Sequence, residues 1–263
     1  TYIPMASGGA DILRGFVPAH LGSHDNSLWI GAIPSAYTNA EYSVGIGHLA
    51  LDAVTTGDYN TALGYQAGTA LTTGGHNTAI GRDVLKAIVT GAGNTGMGSR
   101  AGQSLEVASG YNVFLGYSAA MNLTSGSHNI AIGRQSVGAG DYDTGGTADG
   151  NIGIGSYALM ELSGASNNVA IGHSALRDNT TGYSNISMGY YAGVDNTTGW
   201  QNVFIGKQAA SKHTTATYNT YIGTEAGEFS TGGTNNTVIG RQAWGVGVGV
   251  AGYNVVVGAL ALL

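Results

Sequence analysis

Residues 77–81 read NTAIG, and close copies of this stretch recur along most of the chain. Examples are NTALG at 60–64, NIAIG at 129–133 and NTVIG at 236–240. Counting the Ser-led SVGIG at 43–47, there are 13 copies, and nine of the 12 intervals between them are 17 residues long. A constant period of this kind indicates an array of stacked structural repeats.

Twelve of the copies begin with an asparagine, which we number position zero of its repeat. These are Asn60, Asn77, Asn94, Asn112, Asn129, Asn151, Asn168, Asn185, Asn202, Asn219, Asn236 and Asn254. In a stacked array, an asparagine at a constant position forms a ladder in which each side-chain amide bonds its neighbours above and below. We therefore interpret these residues as a structural ladder and not as ligand contacts.

The positions after the asparagine have the pattern of a short strand that ends in a corner. Position one is β-branched in all 13 copies, position three is aliphatic or Met, and position four is always Gly. Residues two apart on a strand share a face, so we predict that positions one and three are buried, as at Ile80, Ile132 and Ile171. Position seven is Ala in eleven copies, which indicates a thin core.

This pattern predicts an all-β fold, a β-solenoid or β-roll of 17-residue coils. Coils of this kind stack about 4.8 Å apart, so 13 of them form a rod of roughly 60 Å. The limb that returns to the next asparagine has no decisive period. It is predicted to be a second short strand or a single helical turn, and it ends in Thr-Gly or Ser-Gly turn signals such as those at 73–74 and 125–126.

The repeat also predicts the domain organisation. Residues 1–42 are expected to be an N-terminal cap or attachment segment with one degenerate coil, SLWIG at 27–31. Residues 43–263 are expected to be the repeat solenoid, interrupted by an insertion at about 138–150. Atypical terminal coils are normal, because the open end of a solenoid must be covered.

Composition excludes several classes of function. The net charge is −6 with nine Lys plus Arg, which is not the footprint of a nucleic-acid-binding protein. The absence of Cys excludes disulfides, thiol chemistry and Cys-based zinc sites. The uncharged stretch 244–263 is not predicted to span a membrane, because it keeps the repeat register and contains several glycines. No catalytic constellation is recognisable, so we expect a non-enzymatic protein without a cofactor.

Two rows of side chains at constant positions are candidate ligand-binding surfaces. Position five includes Tyr65, Arg82, Tyr117, Arg134, Tyr190 and Lys207. The position before the asparagine includes Tyr42, Tyr59, His76, Tyr111, His128, Tyr218 and Tyr253. Aromatic side chains provide rigid contact area, which suits a glycan or another cell-surface ligand. The alternative is that the rings cover the glycine corners or pack between subunits.

The insertion contains three aspartates on a Gly-rich stretch, Asp141, Asp143 and Asp149. Their spacing loosely resembles a calcium loop built from oxygen ligands, although no bidentate Glu closes it. A solvated loop without metal is the competing interpretation, and it is the one we favour because loose motif matches are common.

The NTAIGxxA units with their Thr-Gly turns resemble the repeats upstream of chaperone-ended bacteriophage tail fibres. They are also similar to the head repeats of trimeric autotransporter adhesins, which form left-handed β-rolls in trimers. The resemblance covers about residues 43–262. It implies a homotrimer, either extracellular or carried on a virion, that displays a rigid adhesive shaft.

The expected function is therefore a shaft of a phage tail fibre or surface adhesin that recognises a glycan or protein of a host surface. Apolar residues at position two, such as Phe114 and Tyr221, are expected on the outside of the coil, where they would contact partner subunits. One alternative is a self-assembling extracellular filament or coat subunit that stacks end to end. A glycan depolymerase is the other.

Overall fold

The computed structural model describes residues 17–18, 27–31, 38–106, 109–138, 140, 147–244 and 252–261. These residues form one sheet of 15 short strands and no helix. The strands are β1 (Val17–Pro18), β2 (Leu28–Gly31), β3 (Val44–Gly47), β4 (Thr61–Leu63), β5 (Thr78–Ile80), β6 (Thr95–Met97), β7 (Val113–Leu115), β8 (Ile130–Ile132), β9 (Ile152–Ile154), β10 (Val169–Ile171), β11 (Ile186–Met188), β12 (Val203–Ile205), β13 (Thr220–Ile222), β14 (Thr237–Ile239) and β15 (Val255–Val257).

The strands are hydrogen-bonded in sequence order, so each coil contributes one strand to the sheet. From β2 to β15 every pair is parallel, and β1 pairs with β2 in the antiparallel direction. The register matches equivalent repeat positions, as in Val169 with Ile186 and Ile171 with Met188. This confirms the prediction of an all-β solenoid of 17-residue coils.

The return limb is neither a second strand nor a helical turn, so both expectations for it were wrong. It is a run of turns in which φ is positive at positions six and eight, for example 56° at Asp83 and 46° at Leu85. Its amides bond mainly to the neighbouring coils, as when the N–H of Leu51 donates to the carbonyl of Ala67 at 3.0 Å. Because stacking satisfies the backbone in this way, the limb needs no helix.

The inside of each coil is formed by positions two, seven, eight and eleven. In the coil that starts at Asn112, these are Phe114, Ala119, Ala120 and Leu123, and all four are buried. Positions one and three point outward. The prediction that they are buried inside the coil was therefore wrong: position two lies inside, and Ile80, Ile132 and Ile171 are only partly buried in the single chain. Both faces of the strand are apolar, so the alternation of side chains could not show which of them faces the core.

The core is packed by placing large side chains against glycines. A Cβ on Gly102 would lie 2.6 Å from the ring of Phe114, and one on Gly193 would lie 2.5 Å from the ring of Phe204. In the first coil, Trp29 is fully buried and packs over Gly45. The aromatic residues at position two therefore fill the core, and they are not the exposed contacts that we expected.

The N-terminal coil at 27–31 continues the repeat. Ser27 stands at position zero, where its Oγ accepts the N–H of Ser43 at 3.0 Å. The Oγ of Ser43 in turn accepts the N–H of Asn60 at 3.1 Å. Serine hydroxyls thus occupy the positions that asparagine amides occupy in the later coils.

The insertion lies between Gly140 and Ala148. The Nδ2 of Asn129 donates to the carbonyl of Ala148 at 2.6 Å, 19 residues along the chain, whereas Asn151 bonds Ala165, only 14 residues ahead. Five extra residues are therefore accommodated here without changing the pairing of β8 with β9. Asp141 and Asp143 lie outside the described residues.

Candidate functional site: side-chain rows beside the sheet

The asparagines form one column at the start of the strands. In each step, Oδ1 accepts two hydrogen bonds from the next asparagine, as when Asn60 accepts the backbone N–H of Asn77 at 3.0 Å and its Nδ2 at 3.1 Å. The Nδ2 of Asn77 also donates to the carbonyl of Gly91, at the end of the return limb, at 2.9 Å. The column therefore ties each strand to the coil before it and closes its own coil.

The polar atoms of this column are inaccessible to a ligand. The eleven asparagines from Asn60 to Asn236 are buried, and the last one, Asn254, is partly buried. Their side-chain amides already form hydrogen bonds with protein atoms, so a ligand could bind these amides only after breaking those hydrogen bonds. The column holds the fold together and leaves recognition to other positions.

The corner glycines stack directly on one another. Gly172 has a φ of 134°, and a Cβ placed there would lie 2.5 Å from the carbonyl oxygen of Gly189. Both the backbone conformation and the close approach exclude a side chain. The chain can therefore turn sharply after each strand, and the side chain at position five, directly after the glycine, projects outward in every coil.

The predicted position-five residues lie in one outward row. Tyr65, Tyr117 and Tyr190 have about half of their surface exposed (48%, 50% and 52%). Arg82, Arg134 and Lys207 are also exposed. Two of the three cations have a carboxylate beside them: Arg82 lies 3.4 Å from Asp83, and Lys207 lies 4.0 Å from Glu225.

The row before the asparagines has a different geometry. Tyr42 and Tyr59 stack with centroids 5.0 Å apart and planes 5° apart, and Tyr59 stacks on His76 at 4.9 Å and 10°. Rings that are stacked in this way cover one another's faces and expose mainly their edges. This row is therefore poorly suited to stacking on a sugar, although its edges and hydroxyl groups remain accessible.

Position six contributes residues that the sequence reasoning missed. The guanidinium of Arg100 lies 6.0 Å from the ring centre of Tyr117, and that of Arg134 lies 5.3 Å from the ring centre of Tyr157. Tyr157 meets His173 edge to face at 5.6 Å, and His173 stacks on Tyr190 at 5.4 Å. The constant spacing of position six could have revealed these residues, but its side chains vary too much to suggest a row.

The described residues contain no group of three or more His, Cys, Asp or Glu side chains that could hold a metal ion. Asp149, the one predicted ligand that is described, uses Oδ1 to accept the N–H of Ser127 at 2.7 Å. Asp58 accepts the N–H of Glu41 in the same way, also at 2.7 Å. Asp149 therefore supports the backbone between coils.

Position eleven changes from apolar to polar along the rod. It is Leu71, Ile88 and Leu105 in early coils, and then Asn179, Asn196, His213 and Ser230 in later ones, all of them buried. The Nε2 of His213 lies 3.2 Å from the hydroxyl of Tyr221, which lies 3.3 Å from the Oγ of Ser230. Burial lowers the pKa of His213 to about 4, because the interior disfavours the charged imidazolium.

A surface groove of about 400 Å³ lies on the return limb, lined by Thr69, Lys86, Gln103 and Glu106 among others. It brings a single carboxylate to its wall, whereas glycoside hydrolysis commonly uses a pair. The groove therefore does not support the depolymerase alternative.

No family model, curated protein or solved structure matches this chain. Within the described ranges, the chain has no helix that is long and apolar enough to cross a membrane.

Proposed function

We propose that this protein is the structural and adhesive shaft of a tail fibre or surface adhesin, formed by parallel copies of the chain. The observation that carries the proposal is the outer face of the sheet. Positions one and three of β3–β15 form a continuous row, two residues wide, without a charged side chain. Leu63 and Met97 are each 46% exposed, and Ile186 is 40% exposed.

Such a face calls for a covering partner. Position one is Thr in five of these 13 strands and Val or Ile in the others, whereas position three is aliphatic or Met in all of them. Parallel sheets are usually covered on both faces, and a row of apolar side chains of this length is rare on soluble monomers. The inner face of this sheet is already covered by the return limb, whereas the outer face of the single chain is open.

A second copy of the chain fits this face better than an unrelated partner does. The face repeats at every coil, with a strand spacing of about 4.8 Å over a rod of roughly 60 Å. A parallel copy presents the same side chains with the same spacing along the rod. The side chains of the two copies can therefore interdigitate in the same register in every coil. The resemblance to trimeric adhesin repeats suggests three copies, with the apolar faces turned to a common axis.

The adhesive part of the proposal rests on the two side-chain rows. Each strand covers positions one to three of its repeat. One row of side chains lies before the asparagine that precedes the strand, and the other lies at position five, after the strand. The two rows therefore border the apolar face on both sides. They would therefore lie at the rim of the subunit interface, where aromatic and polar side chains commonly contact partners. A host-surface ligand could bind there without disturbing the ladder, and such a protein would act on a virion or outside the cell.

The test is the mass of the assembly in solution. We expect the protein to be a trimer by light scattering coupled to size-exclusion chromatography. The double variant Ile132→Glu and Ile171→Glu should be a folded monomer, because the new charges point outward from the single chain. The matched control, Thr181→Glu and Thr198→Glu, adds the same charge at exposed turns and should stay trimeric.

Other outcomes would favour other functions. A stable monomer at micromolar concentration would contradict the proposal, and open polymers in electron micrographs would support a filament instead. For adhesion, the assembly is applied to a glycan array and to bacterial cells. We expect binding without release of reducing ends. Release of reducing ends would support the depolymerase, and failure to bind either surface would remove the adhesive part.

A further inference from the structure

We infer that positions five and six form a binding site for a linear anionic glycan that lies along the rod, centred on Arg100, Tyr117, Arg134, Tyr157, His173 and Tyr190. We call these six residues the central patch. The inference rests on the adhesive function proposed above and adds to it the chemical class of ligand.

The first observation is the distribution of charge. The chain has nine basic and 15 acidic residues. Five of the nine basic residues stand at positions five and six, namely Arg82, Arg100, Arg134, Lys207 and Arg241. Only two acidic residues, Asp83 and Glu225, share those positions. A chain of net charge −6 thus places most of its positive charge on one stripe, which makes that stripe attractive to an anion.

The second observation is that the cations of the central patch have no carboxylate partner. Among the described residues, Arg82 and Lys207 form ion pairs, whereas Arg100 and Arg134 form none. Both lie over tyrosine rings instead, at 6.0 Å and 5.3 Å. Such packing holds a guanidinium in place while its N–H groups remain free for an anionic ligand.

The third observation is the arrangement of the rings. Unlike the parallel rings of the row before the asparagines, those of the central patch take several orientations: Tyr157 is nearly perpendicular to His173 (88°), and His173 is nearly parallel to Tyr190 (15°). Tyr190 also meets Tyr191 at 4.4 Å with planes 57° apart. The result is an uneven aromatic surface that carries hydroxyl groups, which suits the mixed apolar and hydroxyl character of a sugar.

The spacing of the cations fits a polymer of acidic sugars. Arg100 and Arg134 are two coils apart, which is roughly 10 Å at the strand spacing. This distance is comparable with one disaccharide, so a polymer with one carboxylate on each sugar could place every second carboxylate on an arginine. A single-stranded nucleic acid is normally held by many Lys and Arg contacts to its phosphates, whereas the central patch offers only two arginines.

The experiment compares one polymer in two charge states. Binding of the intact protein to polygalacturonate is measured by calorimetry, with fully methyl-esterified polygalacturonate as the uncharged counterpart and oligo-dT as the nucleic-acid probe. We expect polygalacturonate to bind, with an affinity that falls as salt rises, and the methyl ester to bind at least about tenfold more weakly.

Variants locate the site. Arg134→Gln should weaken binding of polygalacturonate by about tenfold, the usual effect of losing one hydrogen-bonded charge. Tyr157→Ala should also weaken it. The matched control Lys212→Gln removes a positive charge that pairs with Asp195 on the return limb, and it should leave the affinity unchanged. Far-ultraviolet circular dichroism verifies that each variant is folded.

Several results would overturn the inference. These are no binding of polygalacturonate, equal binding of its methyl ester, preference for oligo-dT, or an equal loss of affinity in Arg134→Gln and Lys212→Gln. Binding of only neutral glycans on the array would support the proposed adhesive function and contradict the inference that the ligand is anionic. Binding of polygalacturonate by a protein that is monomeric in solution would support the binding site and contradict the proposed trimer.

Discussion

At the scale of single residues, one polar group serves the backbone in every coil. Each ladder asparagine provides an acceptor for the coil above and a donor for the coil below, while also closing its own coil. An isolated amide in a core would be unfavourable, but within a column its groups are satisfied by neighbours of the same kind. This explains why a solenoid with so few charged residues can carry a line of buried polar side chains.

The ladder predicts a large effect of removing one amide. In Asn168→Ala, the Nδ2 of Asn185 and the carbonyl of Gly182 lose partners at 3.1 Å and 2.9 Å. We expect the free energy of unfolding, measured in urea, to fall by about 3 kcal/mol, because buried groups are left unsatisfied. Thr181→Ala, at an exposed turn, should change it by less than about 0.5 kcal/mol. Equal effects would contradict the structural role of the column.

His213 predicts a dependence of stability on pH. Its pKa is about 4 in the folded chain and near the ordinary 6.5 when unfolded, so between these values the unfolded chain binds the extra proton. The stability that depends on a neutral His213 should therefore be complete above pH 6.5, and it should fall by up to about 3 kcal/mol as pH decreases to 4. His213→Leu should remove this loss in melting curves recorded from pH 8 to pH 4, whereas His48→Gln, at an exposed site, should retain it.

At the scale of elements, each coil is a three-residue strand followed by a corner and a string of turns. Positive φ values recur at position four, at positions six and eight, and before the asparagine. Many of those residues are not glycine, for example Gln201 at 54° and Leu176 at 48°. The return limb thus adopts a conformation that few isolated chains would adopt, and bonds to the neighbouring coils hold it there.

Two substitutions at positive φ should have opposite effects. Gly172→Ala would place a Cβ 2.5 Å from the carbonyl oxygen of Gly189 at a φ of 134°, and should destabilise the protein by about 3 kcal/mol. Gln201→Gly relieves about 1–2 kcal/mol of strain in the left-handed backbone at this position. Its cost in the conformational entropy of the unfolded chain is smaller, so the substitution should stabilise the protein by about 0.5 kcal/mol. Melting temperatures of the two variants check this. A stabilising Gly172→Ala would refute the stacking of the corners.

The insertion provides a second test at this scale. Gly140 belongs to the coil, because its N–H donates to the carbonyl of Met160 at 2.8 Å and its carbonyl accepts from Asn122 at 2.8 Å. Deleting residues 141–145 should restore the 17-residue interval and leave the melting temperature within a few degrees. Deleting residues 136–140, which takes away Gly140 and the buried Val137, should lower it strongly. Unfolding on the first deletion would place the insertion in the core or in a subunit interface.

At the scale of the whole molecule, the solenoid depends on contacts between adjacent coils. β9 pairs only with β8 and β10, and the same holds along the described sheet. Stability in such arrays is approximately a sum of terms for each coil and each junction. The length of the rod is therefore a property that can be changed without redesigning the fold.

A whole coil should be removable. Deleting residues 168–184 makes Asn151 and Asn185 neighbours in the column. Leu159 then takes the place of Leu176, which packs against Gly193 in the intact protein. We expect a folded protein with a rod shorter by about 4.8 Å, with the same circular dichroism per residue. Deleting the eight residues 168–175 breaks the register and should abolish cooperative melting. A folded half-coil variant would argue against the repeat as the structural unit.

The sequence alone was sufficient for the period, the strand after each asparagine, the corner glycine and the solenoid, because stacking demands the same residue at the same place in every coil. It could not assign the two strand faces, since both are apolar and a three-residue strand alternates only once. Which face is inside depends on the direction in which Gly172 and its equivalents turn the chain. For the same reason, Phe114 lies in the core and Ile132 lies on the outer face. The pairing of Arg134 with Tyr157 likewise follows from stacking, which brings residues 23 positions apart into contact.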